Sequence, residues 1–243
     1  MTDPLILARR RFLRQAMGTT ATVTAASAGG MLPGLVHALG KIPEELIPGK
    51  SIYDMRGSVF VDSKLANEDT YISASSLVET GSSSYVVFVI GYDAHILREN
   101  SRVQFRGEND FEEGLKLATG KLLSVFGART GDQVHKVETS TATIGIRGTG
   151  LYTESEDDVS YACTCYGKVD IASNRDPQSR ETIVSVHHDA PRYIARDGNS
   201  GGLITPAPMK NHTDEELMLV EQIVGRKPDF ASVKSYTAPR KGY

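Results

Sequence analysis

The stretch Thr139-Ser140-Thr141-Ala142-Thr143-Ile144-Gly145-Ile146 alternates larger and smaller residues with a period of two, then runs into Arg147-Gly148-Thr149-Gly150 before Leu151-Tyr152. A period of two reads as an extended strand with one buried face. The two glycines admit the positive φ that a sharp bend requires. A bent central strand needs partners, and strand-length runs recur about every ten residues on both sides of it. They are Ser58–Val61, Tyr71–Ala74, Tyr85–Ile90, Ala94–Arg98, Val103–Arg106, Val134–Val137, Val159–Tyr166 and Thr182–Val186. The unbroken apolar run Tyr85–Ile90 predicts a strand buried on both faces. Glu113–Phe126 fits two strands around Thr119-Gly120-Lys121 or a short helix, and the Thr-Gly-Lys turn favours strands. That turn lacks the second glycine and the spacing of a P-loop. One helix is expected, Thr213–Val224, with Thr213 as N-cap, Glu216 closing a capping box, and Gly225 with Pro228 ending it. The fold class predicted is all-β, an antiparallel sandwich or roll with a short C-terminal helix.

Hydrophobic residues make up 40% of the 243, charged residues 23%, and the net charge is −3. This balance suits a packed globule and argues against a nucleic-acid binder, which concentrates basic charge on one face. The absence of Trp removes the usual aromatic platform for carbohydrate. The N-terminus reads differently. Ala8-Arg9-Arg10-Arg11-Phe12-Leu13-Arg14 resembles a twin-arginine export signal, and residues 15–40 carry no Lys, Arg, Asp or Glu. Ala26-Ser27-Ala28 fits a small-residue cleavage site. The alternatives are a basic amphipathic helix or a retained anchor, although Pro33 and the glycines make a poor permanent span. The expected organisation is a signal peptide over 1–40, a linker over 41–54, a β domain over 55–205, and a helix with tail over 206–243. Periplasmic localisation follows if the signal acts, with no membrane span in the mature chain.

Three pieces carry a resemblance to a known family. Thr139, Ala142, Gly145, Ile146, Arg147, Gly148 and Thr149 match the strand Thr-x-x-Ala-x-x-Gly-Val-Arg-Gly-Thr of the FecR domain family. Gly57–Val61 followed by Glu79–Tyr85 is similar to that family's opening strand and Thr-Gly-x-x-Ser turn. Gly167-Lys168-Val169-Asp170-Ile171 resembles its closing Gly-x-Val-x-Val. The resemblance spans residues 55–172 and implies a β-rich, non-enzymatic module that works in signalling outside the inner membrane. In that family a cytoplasmic anti-sigma segment commonly receives the signal. Here about fourteen residues precede the apolar run, so a freestanding ligand-binding or scaffold role is expected instead, with an unidentified protein or small ligand as partner.

The candidate chemistry lies in sulfur and imidazole. Cys163 and Cys165 are the only cysteines. On a strand their side chains share a face. Their Cα atoms are then about 6.6 Å apart, at the upper limit for a disulfide. Both sulfurs are placed to grip one soft metal ion. Packing as small apolar residues and a disulfide are the other readings. His187-His188 follows the strand Thr182–Val186, and His212 opens the helix. Two thiolates with two imidazoles make a closed four-ligand site suited to zinc, copper or iron. The candidate ligands are Cys163, Cys165, His187, His188 and His212. A metal-binding or redox protein on the same β scaffold is therefore the alternative to the sensing role. Catalysis is poorly supported, since neither a Gly-x-Ser-x-Gly elbow nor an HExxH pair is present. The acidic run Glu154–Asp158 reads as a solvated hairpin loop before it reads as a calcium site.

Overall fold

The computed structural model describes residues 46–128, 134–199 and 201–232. The expectations for the export signal and for the final tail fall outside these residues, as do residues 41–45 of the linker. Among the described residues, no helix is long and apolar enough to cross a membrane.

Among the described residues, fourteen strands form one continuous sheet: β1 Ile52–Arg56, β2 Val59–Val61, β3 Lys64–Leu65, β4 Leu77–Thr80, β5 Tyr85–Ile90, β6 Asp93–Leu97, β7 Arg102–Glu108, β8 Phe111–Val125, β9 His135–Glu138, β10 Ala142–Ser155, β11 Val159–Ser173, β12 Arg180–Ser185, β13 Arg192–Asn199 and β14 Gly202–Pro206. One helix follows, α1 Asp214–Ile223, and then a 3₁₀ turn at Asp229–Ser232. All pairings are antiparallel except β8 with β9. The β class, the short C-terminal helix and the strand buried on both faces at Tyr85–Ile90 are as the sequence predicts.

Three long strands hold the architecture together by changing partners along their length. The first part of β8 pairs with β7 and β9, while its end, Lys121–Val125, pairs with β10 and Leu122–Val125 also with β6. β10 pairs with β9 through Thr143–Ile146 and with β8 from Gly150 onward. β11 pairs with β13 through Val159–Ala162 and with β12 through Gly167–Ala172. Each changeover sits at glycine with positive φ: Gly120 (+94°), Gly148 (+62°) and Gly167 (+89°). The sheet therefore turns a corner along all three strands and folds over itself, which is how strands serve two packed layers. Val103, Phe105, Leu115, Ile144 and Ile171 from one half and Val86, Phe88, Leu97, Leu122 and Leu151 from the other join a single buried cluster.

Two sequence expectations are corrected. Glu113–Phe126 is neither a hairpin nor a helix. All of it but Phe126 lies within the single strand β8, and Gly120 bends the strand without reversing it. Tyr71–Ala74 is not a strand. The Ser51 hydroxyl donates to the Ile72 carbonyl at 3.1 Å and accepts from the Ile72 amide at 3.0 Å, and the Ala74 amide donates to the Asn109 carbonyl. These bonds replace a ladder, and the ladder is made instead by Leu77–Thr80. A Cβ at position 120 would lie 2.5 Å from Ser101 Cα. Gly120→Ala is thus expected to cost about 2–4 kcal/mol, from left-handed backbone strain plus overpacking, read as a lowered denaturant midpoint with unchanged slope.

A buried polar cluster ties the two halves together. His95 on β6 places Nδ1 2.9 Å from Ser124 Oγ and Nε2 3.0 Å from Glu112 Oε2. His135 on β9 places Nε2 2.6 Å from Glu112 Oε1. All three residues are at most 2% exposed. Burial by itself would raise the Glu112 carboxyl. The charge of His95 and the bonds from both imidazoles outweigh it and hold the group down at about 2.

Candidate metal centre

β11 carries Cys163 and Cys165 two residues apart, so both side chains leave the same face of the strand. The β10–β11 register shifts between Gly150 and Leu151, beside this pair: Tyr152 faces Cys163, Leu151 faces Thr164, and Gly150 faces Tyr166. Both cysteines are fully buried thiols.

The turn after β12 brings in one imidazole. Asp189 Oδ2 accepts from the amides of Val186 and His187 at 2.8 and 3.0 Å, and the His188 amide donates to the Cys165 carbonyl at 2.9 Å. His188 adopts a φ of +55°. A bulky residue holds that left-handed conformation only where the surroundings impose it, and such strain concentrates at functional sites. The second imidazole comes from the loop before α1. His212 is 1% exposed and stacks on the Tyr152 ring, with centroids 4.4 Å apart and planes 17° from parallel.

Cys163, Cys165, His188 and His212 each offer a ligand atom, and these four atoms all lie within 4.8 Å of one another. Cys163 Sγ is 3.4 Å from His188 Nδ1, and His188 Nδ1 is 3.1 Å from His212 Nε2. In a tetrahedron with ordinary zinc–sulfur and zinc–nitrogen bonds, neighbouring ligand atoms sit about 3.3–3.8 Å apart, so the spacing suits one ion.

The outward nitrogens are already committed. His188 Nε2 donates to Asp214 Oδ1 at 2.9 Å, and His212 Nδ1 donates to the Lys210 carbonyl at 2.7 Å. With protons on those atoms, His188 Nδ1 and His212 Nε2 present lone pairs toward the thiols. Carboxylates and carbonyls in this position orient metal-bound imidazoles and raise their basicity. Around the Lys210 loop, Lys210 Nζ meets Glu154 Oε2 at 2.7 Å and Tyr152 donates to Glu154 Oε1 at 2.8 Å.

His187 does not join the four. The turn sends it outward, where it stacks on Phe230 at 4.2 Å and places Nε2 2.9 Å from Asp214 Oδ2. His187 instead forms a second group with His188 and Asp214, whose ligand atoms also lie within 4.8 Å of one another. The expected solvated loop over Glu154–Asp158 is corrected at its start: Glu154 is buried in β10 and paired to Lys210, and the exposed loop is Glu156–Asp158, where Asp158 meets Arg196. Asp214 is the residue that sequence reasoning missed. Its position two residues after His212, in the first turn of a capped helix, was the available signal.

Electrostatics favour ionised sulfur. Burial would raise the Cys163 thiol, but bonds from Cys165, His188 and His212 hold it well below the ordinary value. Cys165 is pushed well above, by burial and then by the neighbouring sulfur. Burial would lower His188, but its bonds to Asp214 and Cys163 raise it to about 9. Without an ion, Cys163 and His188 thus form a thiolate–imidazolium pair, and an ion entering the site displaces the proton from His188 Nδ1 to reach its lone pair. Asp214→Ala, which removes the carboxylate and leaves all four ligands, is expected to weaken metal binding 10–100-fold, measured by competition with a chromophoric chelator.

No protein-family model matches the sequence, and no curated protein matches it significantly. Among solved structures, two crystal structures described as of a "putative anti-sigma factor" from Parabacteroides distasonis, at 1.65 and 2.50 Å, are similar to this chain. Each is 12% identical with a TM-score of 0.44, over 54% of this chain and 58% of that one. The alignment thus spans little more than half of either protein, and at this similarity it carries no argument about activity.

Proposed function

We propose that this protein binds a single transition-metal ion of the zinc class through Cys163, Cys165, His188 and His212, as a closed structural or ligand-sensing centre on a β scaffold. The observation that carries the reading is the direction of the two imidazoles. Their outer nitrogens are spent on Asp214 and the Lys210 carbonyl, which leaves the inner ones facing two buried sulfurs. A set of two thiolates and two imidazoles is neutral overall with a divalent ion, and tetrahedral S₂N₂ donors select zinc among the common divalent ions. Bound there, the ion supplies cross-linking energy between three chain segments. Four protein donors fill a tetrahedron, so the reading is non-enzymatic.

The FecR-like resemblance is compatible with this role and is supported by how its pieces meet. The Gly81 amide donates to the Ser58 carbonyl at 2.9 Å and the Ser58 amide to Ser84 Oγ at 2.9 Å, joining the opening strand to its turn. The closing piece pairs with the central strand, Ile146 opposite Val169. We infer an exported sensing or scaffold module whose β body carries the metal centre. Titration with Co²⁺ tests the metal reading. A one-to-one endpoint with sulfur-to-cobalt charge-transfer absorption and intense tetrahedral d–d bands is expected, and Zn²⁺ should displace it. A weak octahedral spectrum would contradict the proposal.

A further inference from the structure

His188 faces two groups of donors, one with each ring nitrogen. Nδ1 looks toward Cys163 Sγ at 3.4 Å and His212 Nε2 at 3.1 Å. Nε2 looks the other way, toward Asp214 Oδ1 at 2.9 Å. The same carboxylate meets His187 Nε2, at 3.0 Å from Oδ1 and 2.9 Å from Oδ2. A carboxylate that only steadies a metal-bound imidazole needs one imidazole partner. Asp214 has two, on adjacent residues.

The turn after β12 produces this arrangement. The φ of +55° at His188 sets the two rings 51° apart in plane, with centroids 5.1 Å apart, on one carboxylate. The spacing suits an ion as well as a proton. Zinc-class bonds to nitrogen and oxygen are about 2.0–2.2 Å long, so donors at right angles around one ion lie about 3 Å apart. One ligand atom from each of His187, His188 and Asp214 falls within 4.8 Å of the others. The side chains of His188 and Asp214 are 0% exposed and that of His187 is 11% exposed, so His187 is the member nearest solvent.

We propose that His187 Nε2, His188 Nε2 and the Asp214 carboxylate hold a second divalent ion, with the His188 ring bridging it to the inner one. Two imidazoles and a carboxylate suit zinc, copper, nickel or ferrous iron. The second ion takes the place of the proton that His188 Nε2 donates to Asp214. That proton leaves to solvent, and His188 becomes an imidazolate. His187 keeps its proton on Nδ1 and turns the Nε2 lone pair to the ion. Three protein donors leave a position for water or an exchangeable small ligand, which the closed inner site lacks. With no thiolate and a proton to displace, the outer site fills second and more weakly, so protein isolated without added metal keeps the inner ion alone. The inference rests on the metal reading above and adds to it the side of the centre that exchanges ligands.

The test is a Co²⁺ titration of the full chain under reducing conditions, carried past two equivalents and read by absorption and by low-temperature electron paramagnetic resonance. Sulfur-to-cobalt absorption is expected to saturate at the first equivalent. The second equivalent should add d–d absorption alone. The cobalt spin signal should then fall instead of doubling, because two ions on one imidazolate couple antiferromagnetically. His187→Ala should lose the second step, and its sulfur-to-cobalt band reports that the variant is folded. His187→Phe, which retains a ring to stack on Phe230, should lose the second step as well. A wild-type titration that ends at one equivalent overturns the outer site and leaves the sulfur site standing. A second step that survives in both variants places the ion elsewhere and overturns it, as does a spin signal that doubles. Absence of the sulfur-to-cobalt band removes the metal reading and the bridge together.

Discussion

The double variant Cys163→Ser/Cys165→Ser is expected to lose stoichiometric metal, not merely to bind it more weakly. Hydroxyls remain protonated at neutral pH and are poor partners for a zinc-class ion, so both anionic donors disappear at once. Structural zinc sites of this type bind with about 10–16 kcal/mol of apparent free energy at neutral pH, strongly dependent on thiolate formation. Two neutral imidazoles cannot retain the ion against buffer and water. The β body should survive. Serine is close in size to cysteine, and the core around Val86, Phe88, Leu151 and Ile144 is assembled without the sulfurs. The expected result is a folded, metal-free protein by circular dichroism and elemental analysis. Equal metal content in the double variant and the wild type would show that the sulfurs are packing groups, the reading that burial alone allows.

The second large effect is expected from Glu112→Ala. This carboxylate is fully buried and bonds two buried imidazoles, one on β6 and one on β9. Removing it leaves His95 and His135 without their shared acceptor, and breaking a buried ion pair by deleting one partner costs about 3–5 kcal/mol. His95 also sits among Phe88 and Phe105, at centroid distances of 5.0 and 5.1 Å, and neither ring offers an acceptor to replace the lost bond. A pH dependence accompanies the mutation. The folded-state value of Glu112 lies near 2, against an ordinary 4.5. A depressed carboxyl contributes stability above its unfolded value, and that contribution is lost as pH falls through the folded one. Wild-type stability should therefore decline between about pH 4.5 and 2 in excess of Glu112→Gln, which cannot titrate. Parallel curves for the two proteins across that window would contradict the assignment.

Periodicity made the β class legible. The alternation at 139–146 became β10, the apolar run at 85–90 became a doubly buried strand, and Thr213 with Glu216 marked the helix start to the residue. What stayed hidden was the use of long strands in two layers. Gly120 looked like a hairpin turn because turns and corner bends demand the same positive φ, and only the partners differ. Ile72 and Ala74 looked like strand because their burial follows a period of two, but a single serine hydroxyl holds the Ile72 backbone. Cys163 and Cys165 meet because two-residue spacing on a strand dictates a common face, while His188 and His212 reach them only through the fold. The choice of His188 over His187 depends on a left-handed turn braced by Asp189, which no local spacing announces. The His95–Glu112–His135 cluster was invisible for a different reason. Its members are 17 and 23 residues from the shared carboxylate, joined only by the fold.

The central claim is that the protein carries one ion between two sulfurs and two imidazoles. Elemental analysis of the protein isolated from its native compartment, without any metal-affinity column, tests it most directly. The account predicts one equivalent of zinc per chain, removed by a strong chelator together with the appearance of two titratable thiols. Metal-free protein whose two thiols react freely from the outset would contradict it.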